Sequence, residues 1–363
     1  MEGHAGAALR TAHADSTAQV GAIEPLHRPE RELLEDAVLA PGATRAQGAG
    51  ERPRPEEPDP ERTCFERDRD RILHGAPFRR LAGKTQVFIF PDDHQRTRLT
   101  HALEVAQVAT SIARATRLNV ALTEAIAIGH DCGHGPAGHA SEDAFAPYLP
   151  EGFDHATWGA DVVLAGLNLC EQTTDGIRNH SWSRPAPVTP EGEVVSWADR
   201  IAYVCHDFED ACTSGVVSVA DLPAAVVERC GSTRSAQLRV FIEGVVDATI
   251  ATGRVGMAHD LADALAAFRA CNYERIYLRA ASVEQGAAVQ RLLGALVERI
   301  AETPEVLPAG SAEAAGWPDA RSPEAVRAAV TYVAGMTDRY AVAMAEQLLG
   351  WDPAQLRLGL SLV

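Results

Sequence analysis

The sequence predicts an all-α fold, and three observations carry that expectation. Beyond about Arg96, nearly every stretch repeats apolar residues three and four positions apart, the spacing of a helix face. No internal repeat and no long alternating segment is present, as a solenoid or a sheet would require. The one strand-like run is KTQVFIF, Lys84 to Phe90, closed by Pro91-Asp92-Asp93. At most a short β-hairpin near residues 84–96 is therefore expected.

Taken in order, residues 1–28 are small, polar and aperiodic and read as a flexible tail. Residues 29–62 begin with a short helix to about Leu39. They continue as a Pro- and Gly-rich stretch expected to wrap a surface in extended form. Residues 63–220 form the core region. Its expected helices run from about Phe65 to Leu81 (helix, then turn), Thr97 to Arg117, Ala121 to Asp131, Asp154 to Leu169 and Glu193 to Thr213. A further helix starts near Ser141. Residues 221–363 are expected to be a C-terminal helical region packed on that core, interrupted by a loop near 303–323.

Composition narrows the class. Thirty-three basic against fifty acidic side chains leave a net charge of −17, which opposes tight non-specific binding to nucleic acid. A local basic patch, Arg62 to Arg98, is explained equally by a solvated helix face and by an anion site; it holds Lys84, the only lysine of the chain. Seven cysteines with no Cys-x-x-Cys pair argue against a disulfide framework or zinc cluster. With no apolar run near the ~20 residues of a membrane span and no secretory leader pattern, a cytoplasmic protein without membrane partners is expected.

Nine of the thirteen histidines fall between His74 and His206. The stretch AIAIGHDCGHGPAGHASEDAF (Ala125 to Phe145) ends an apolar helix in adjacent His130 and Asp131. Burying two such groups together is costly unless something pairs them, and a divalent cation accepts both neutral imidazole and carboxylate. Arg98 and His101 lie one turn apart on one face. In the helix to Thr213, Val194, Ala198, Ile201, Cys205 and Phe208 form a core stripe. Asp199, Tyr203, His206, Asp207 and Asp210 form a second, polar stripe suited to a site.

The order His101, His130-Asp131, Asp199 on three helices resembles HD-domain metal phosphohydrolases. Together with RDRDRILHGAPFRRLAGKTQVF (Arg67 to Phe88), RTRLTHALEVAQVA (Arg96 to Ala109), HDCGHGPAGH (His130 to His139), NHSW (Asn179 to Trp182), ADRIAYVCHD (Ala198 to Asp207) and GMTDRYA (Gly335 to Ala341), the chain is similar to bacterial deoxyguanosinetriphosphate triphosphohydrolase-like proteins. These are relatives of the animal dNTP triphosphohydrolases. The likeness runs from about Pro29 to Trp351. Three positions depart from the family pattern: Ala137 where Phe is usual, Cys132 where Ile or Leu is common, and Ser141 for a frequent Gly.

The resemblance implies metal ligands His101, His130, Asp131 and Asp199, holding one divalent ion (Mn²⁺, Mg²⁺, Fe²⁺ or Ni²⁺). It implies a catalytic His139 partnered by Glu142, phosphate contacts from Arg98, His134 and His155, and a deoxyribose floor of Tyr203 and Asp207. The implied reaction is hydrolysis of a dNTP, dGTP or a broader set, to deoxynucleoside and tripolyphosphate. A homo-oligomer, an activating dNTP and weak nucleic-acid binding are implied as further partners. Two alternatives stand beside it: an HD-type deoxynucleoside 5′-monophosphatase or signalling-nucleotide hydrolase, and a dNTP- or single-strand-sensing protein with weak activity.

Overall fold

The computed structural model describes residues 4–5, 9–89, 94–308 and 318–352. Among them are fifteen α-helices, a few 3-10 and π turns, and a two-residue antiparallel ladder of β1 (His4–Ala5) with β2 (Arg10–Thr11). The fold is all-α. No described helix is long and apolar enough to cross a membrane.

Helix α1 (Arg28–Val38) is followed by residues 40–62 without helix or strand. That segment is stitched to the body by Thr44, whose hydroxyl donates to Glu191 at 2.7 Å, and by Arg52, which pairs with buried Asp68 at 2.6 Å. Helix α2 (Cys64–His74) opens with a reciprocal cap: the Glu66 carboxylate accepts from Thr63 N–H, and the Thr63 hydroxyl accepts from Glu66 N–H. A second short helix, α3 (Ala76–Arg80), follows it.

KTQVFIF forms no strand over its described part. Only Thr85 makes an antiparallel bridge, to Thr97, and residues 90–93 of the expected hairpin lie outside the described residues. The reason is that the run is already engaged elsewhere. The Asp338 carboxylate accepts from the Thr85 N–H at 2.9 Å, and Lys84 Nζ donates to Ala334 O at 3.0 Å and to His134 O.

Helix α4 (Arg98–Thr116) starts where the Thr100 hydroxyl accepts the Thr97 N–H at 3.0 Å, and stops at Arg117, which turns left-handed at φ 59°. Helix α5 (Val120–Gly129) is capped by the Asn119 side chain and is apolar nearly all round. It is accordingly buried among its neighbours, each of Leu122, Ile126 and Ile128 contributing about 1.5–3 kcal/mol on burial. Short helices α6 (His139–Phe145) and α7 (His155–Trp158) follow, then α8 (Glu171–Asn179) and the long α9 (Pro190–Thr213). The single helix expected over Asp154 to Leu169 is instead α7, a π turn at Gly159–Val163 and a 3-10 turn at Ala165–Leu167. The glycine loop after α5 lies directly on this segment: a Cβ on Gly133 would collide with the His155 carbonyl and the Gly159 nitrogen.

The rest of the chain forms α10 (Ala224–Cys230), α11 (Arg234–Thr252), α12 (His259–Asn272), α13 (Ala280–Glu302), α14 (Pro323–Ala334) and α15 (Asp338–Leu349). Two apolar clusters result. The larger joins α2, α4, α5 and α9 with α11 and α12, through residues such as Phe65, Ile126, Ile201, Phe241 and Phe268. The second joins α6 to α13, α14 and α15 through Phe145, Leu293 and Val330. The seam between them, at the end of α5 and the start of α6, is where the histidines gather.

Candidate active site

Helices α4 and α9 each present one polar group, and the chain just past α5 presents two, to a single point. His101 Nε2 lies 3.1 Å from Asp199 Oδ1 and 4.0 Å from Asp131 Oδ2. His130 Nε2 lies 3.4 Å from Asp131 Oδ1 and 3.7 Å from Asp199 Oδ1. The other nitrogen of His130, Nδ1, is 2.6 Å from the Ala127 carbonyl, which can only accept; Nδ1 therefore carries the hydrogen and Nε2 is a bare lone pair. That buried Nε2 has no hydrogen-bond partner. An orphaned lone pair facing two carboxylates fits a cation, and the set His101, His130, Asp131 and Asp199 suits a first-row divalent ion.

Electrostatics agree. Burial alone would raise the Asp131 carboxyl, but His130, Arg98 and His134 around it hold it well below the ordinary carboxylate range. Asp199 behaves likewise: burial pushes up, and the hydrogen bond from His101 with His130 nearby pulls it down. Both stay ionised. The side chains of His101, His130 and Asp131 are at most 4% exposed, whereas those of Asp199 and Glu142 are 23% and 22% exposed, so the site opens along that side.

Arg98 does not point outward. Its Nη1 donates to Asp131 Oδ2 at 2.7 Å, while its Nε is buried without a partner. Gly138, at φ 62°, lies against this guanidinium so closely that any Cβ there would strike it.

Beyond the cage a second group forms on the glycine loop, α6 and α7. Glu142 Oε1 lies 2.9 Å from His139 Nδ1, 2.9 Å from His155 Nδ1 and 3.6 Å from His134 Nδ1. The His134 and His155 rings stack with centroids 3.7 Å apart, and His134 Nε2 is 3.2 Å from Asp131 Oδ1. Burial would raise Glu142, but hydrogen bonds from His139 and His155 keep it well below its ordinary value, hence ionised. His139 is the exposed member, its side chain 77% accessible.

The polar stripe of α9 divides. Asp199 faces His101 and His130, while Tyr203 and Asp207 meet residues of α12 and the turn after it. His206 and Asp210 join a separate cluster in which Arg96 meets Asp210, Glu209 (2.7 Å) and Glu104 (2.9 Å). Asp207 accepts from the Tyr277 hydroxyl at 2.5 Å, and burial pushes its carboxyl up to about 7. Tyr203 receives a hydrogen bond from Arg269 Nε at 2.9 Å.

The HD domain family model matches residues 98–204, and the phosphohydrolase-associated domain matches residues 255–347. A deoxyguanosinetriphosphate triphosphohydrolase-like protein of Caldanaerobacter subterraneus is 39% identical over 318 residues, covering 86% of this chain and 92% of that one. The chain belongs to this family. Members from Clostridium perfringens (39% identity, 80% and 87% coverage) and Ralstonia nicotianae (32% identity, 84% and 92% coverage) are also similar. A crystal structure of a hypothetical protein from Aquifex aeolicus shares the fold, with TM-score 0.51 and 15% identity over 80% of this chain and 70% of that one.

Within this triphosphohydrolase-like chain the HD match carries all four cage residues. The phosphohydrolase-associated match supplies three groups that sequence reasoning missed: Arg269 and Tyr277 beside Tyr203 and Asp207, and Asp338 under the glycine loop. No spacing rule links positions so far apart in the chain. His180 was also missed, although NHSW stood out as a motif. It is buried, its ring 5.0 Å from that of His130, and burial beside His130 and His155 pushes it down to about 4, leaving it neutral.

Proposed function

We propose that the protein hydrolyses deoxynucleoside triphosphates, dGTP or a wider set, to deoxynucleoside and tripolyphosphate. The observation that carries this is the orphaned His130 Nε2 set among His101, Asp131 and Asp199, beside an exposed His139 tied to an ionised Glu142. The relatives' names support the substrate class. His101, His130, Asp131 and Asp199 would hold one divalent ion, which supplies charge neutralisation for phosphate oxygens and a polarised water.

The chain's own groups account for the rest. Glu142 fixes the His139 ring through Nδ1, which leaves Nε2 as the nitrogen that moves a proton. With water adding to the α-phosphorus and the bond to O5′ breaking, His139 protonates O5′ as it leaves. Arg98 and His134 stabilise Asp131, and Arg98 with His155 lies toward the phosphates. Asp207, held by Tyr277, accepts the 3′-hydroxyl, and Tyr203 occupies the space a 2′-hydroxyl would need, so ribonucleotides are excluded.

The test is product analysis. Purified protein with Mn²⁺ and each dNTP, singly and in pairs, is expected to release tripolyphosphate detectable by ³¹P NMR. Pyrophosphate and monophosphate as sole products would overturn the bond assignment, and release of inorganic phosphate from monophosphates alone would overturn the substrate.

A further inference from the structure

A pair of cysteines lies apart from the histidines, at the opposite end of α8 from His180. Cys170 directly precedes that helix, and Cys64 is the first residue of α2. The two thiols are hydrogen-bond partners, and Cys170 Sγ also lies 3.9 Å from the Cys64 carbonyl. The surrounding backbone holds them together. Asp68, one turn along α2, accepts from the Cys170 N–H at 2.8 Å, and Arg52 donates to the carbonyls of Cys64 (3.1 Å) and Asn168 (2.6 Å). Gly50 packs against the pair, where a Cβ would lie 3.0 Å from Cys64 Cβ. The two sulfurs differ in access. Cys170 is fully buried, whereas Cys64 is half-buried and lines a cavity of about 590 Å³ with Arg28, Arg52, Arg62 and Arg67. The Arg62 side chain is 44% exposed, so the cavity reaches solvent at that residue. The hydrogen bond with Cys64, then burial and the nearby Asp68, push the Cys170 thiol up and keep it protonated.

We propose that Cys64 and Cys170 are a peroxide-responsive dithiol, oxidised through this cavity to an intrachain disulfide that staples the start of α2 to the start of α8. Two steps complete the reaction. The Cys64 sulfur attacks one oxygen of hydrogen peroxide, the O–O bond breaks, and Cys64 becomes a sulfenic acid as water leaves. The Cys170 sulfur then attacks the Cys64 sulfur, the S–OH bond breaks, and the hydroxyl leaves with the Cys170 proton as a second water. The pair of thiols gives up two electrons, and the peroxide takes up both. Access sets the order, since of the two only Cys64 meets the cavity. Cys205 and Cys230 also neighbour one another, but at 1% and 2% exposure neither is reached from outside. The new bond joins residues 106 positions apart and fixes the end of α8 remote from His180. It involves no residue of the proposed cage and stands independently of it.

The experiment counts thiols and maps the bond. Full-length protein is reduced, desalted and treated with a small excess of hydrogen peroxide, then unfolded in the presence of N-ethylmaleimide. Free thiols are expected to fall by two of the seven, and dithiothreitol to restore them. Mass spectrometry of the unreduced tryptic digest is expected to show the peptide carrying Cys64 joined to the one carrying Cys170. In Cys170→Ser, oxidation is expected to stop at a Cys64 sulfenic acid that dimedone labels, because no second thiol resolves it. In Cys64→Ser, Cys170 is expected to stay reduced. Survival of all seven thiols in the wild type overturns the proposal, as does a bond between two chains or a loss confined to other cysteines. Dimedone labelling of Cys64 in the wild type without the cross-link overturns the role of Cys170. The wild-type count and map need no variant to fold.

Discussion

The two histidine groups at the centre of this molecule are built differently. The cage of His101, His130, Asp131 and Asp199 stands on long helices α4 and α9 and the end of buried α5, with little exposed area. The group around Glu142 stands on a seven-residue helix, a four-residue helix and a glycine loop, and one of its members, His139, is largely exposed. On the proposed function, the difference teaches how the labour would divide. A cation needs a fixed set of lone pairs, which rigid helices supply. A residue that exchanges protons with a departing oxygen needs to reach substrate, which a short element at the surface allows.

Breaking the cage is expected to have the largest effect. Asp131→Ala removes the carboxylate that serves His130, His134 and Arg98 together. It should abolish metal uptake and turnover and lower stability by about 3–5 kcal/mol, because a buried cation loses its partner. Elemental analysis and urea unfolding check this; normal Mn²⁺ content would break the comparison from the cage side. His139→Ala comes next. It should retain metal and lose about 10²–10⁴-fold in kcat, as the loss of a positioned acid does. Unchanged kcat would remove His139 from the chemistry.

A third change sharpens the contrast from underneath. Asp338 accepts from Thr85 N–H at 2.9 Å and Ala137 N–H at 2.8 Å, tying the glycine loop to α15. Asp338→Ala leaves those buried donors unpaired, at about 1–3 kcal/mol each. It should lower kcat while the metal content holds, since the loop carries His134 and His139 but not the cage. The smallest effect is on pH dependence. Glu142 is held below its ordinary value near 4.5, so the stability it contributes is present above that value and fades as pH falls below it. Glu142→Gln should flatten the stability loss as pH falls below about 4.5, measured by urea unfolding. An unaltered slope would show that Glu142 is not the group responsible.

Much of this was legible in the chain. Periodicity located α4, α5 and α9 within a few residues, because positions three and four apart on a helix share a face. The same rule grouped Asp199, Tyr203 and Asp207, whereas the pairing of His139 with Glu142 came from the family resemblance. It also misgrouped: His206 and Asp210 share that polar stripe yet meet Arg96 and its carboxylates instead, since a wide stripe borders two neighbours. KTQVFIF looked like a strand by composition, but a strand requires a partner, and here the run's hydrogen bonds go to Asp338 and its lysine to carbonyls.

By itself, the sequence determined the helical class and the placement of His101, His130-Asp131 and Asp199 on successive helices, because helix periodicity is a local property. Only the tertiary structure decided that His180 faces His155, that Tyr277 bonds Asp207 across 70 positions, and that Asp338 holds a loop 201 positions away. Those contacts depend on how two apolar clusters meet, and the packing of distant helix faces leaves no period in the chain for a reader to find.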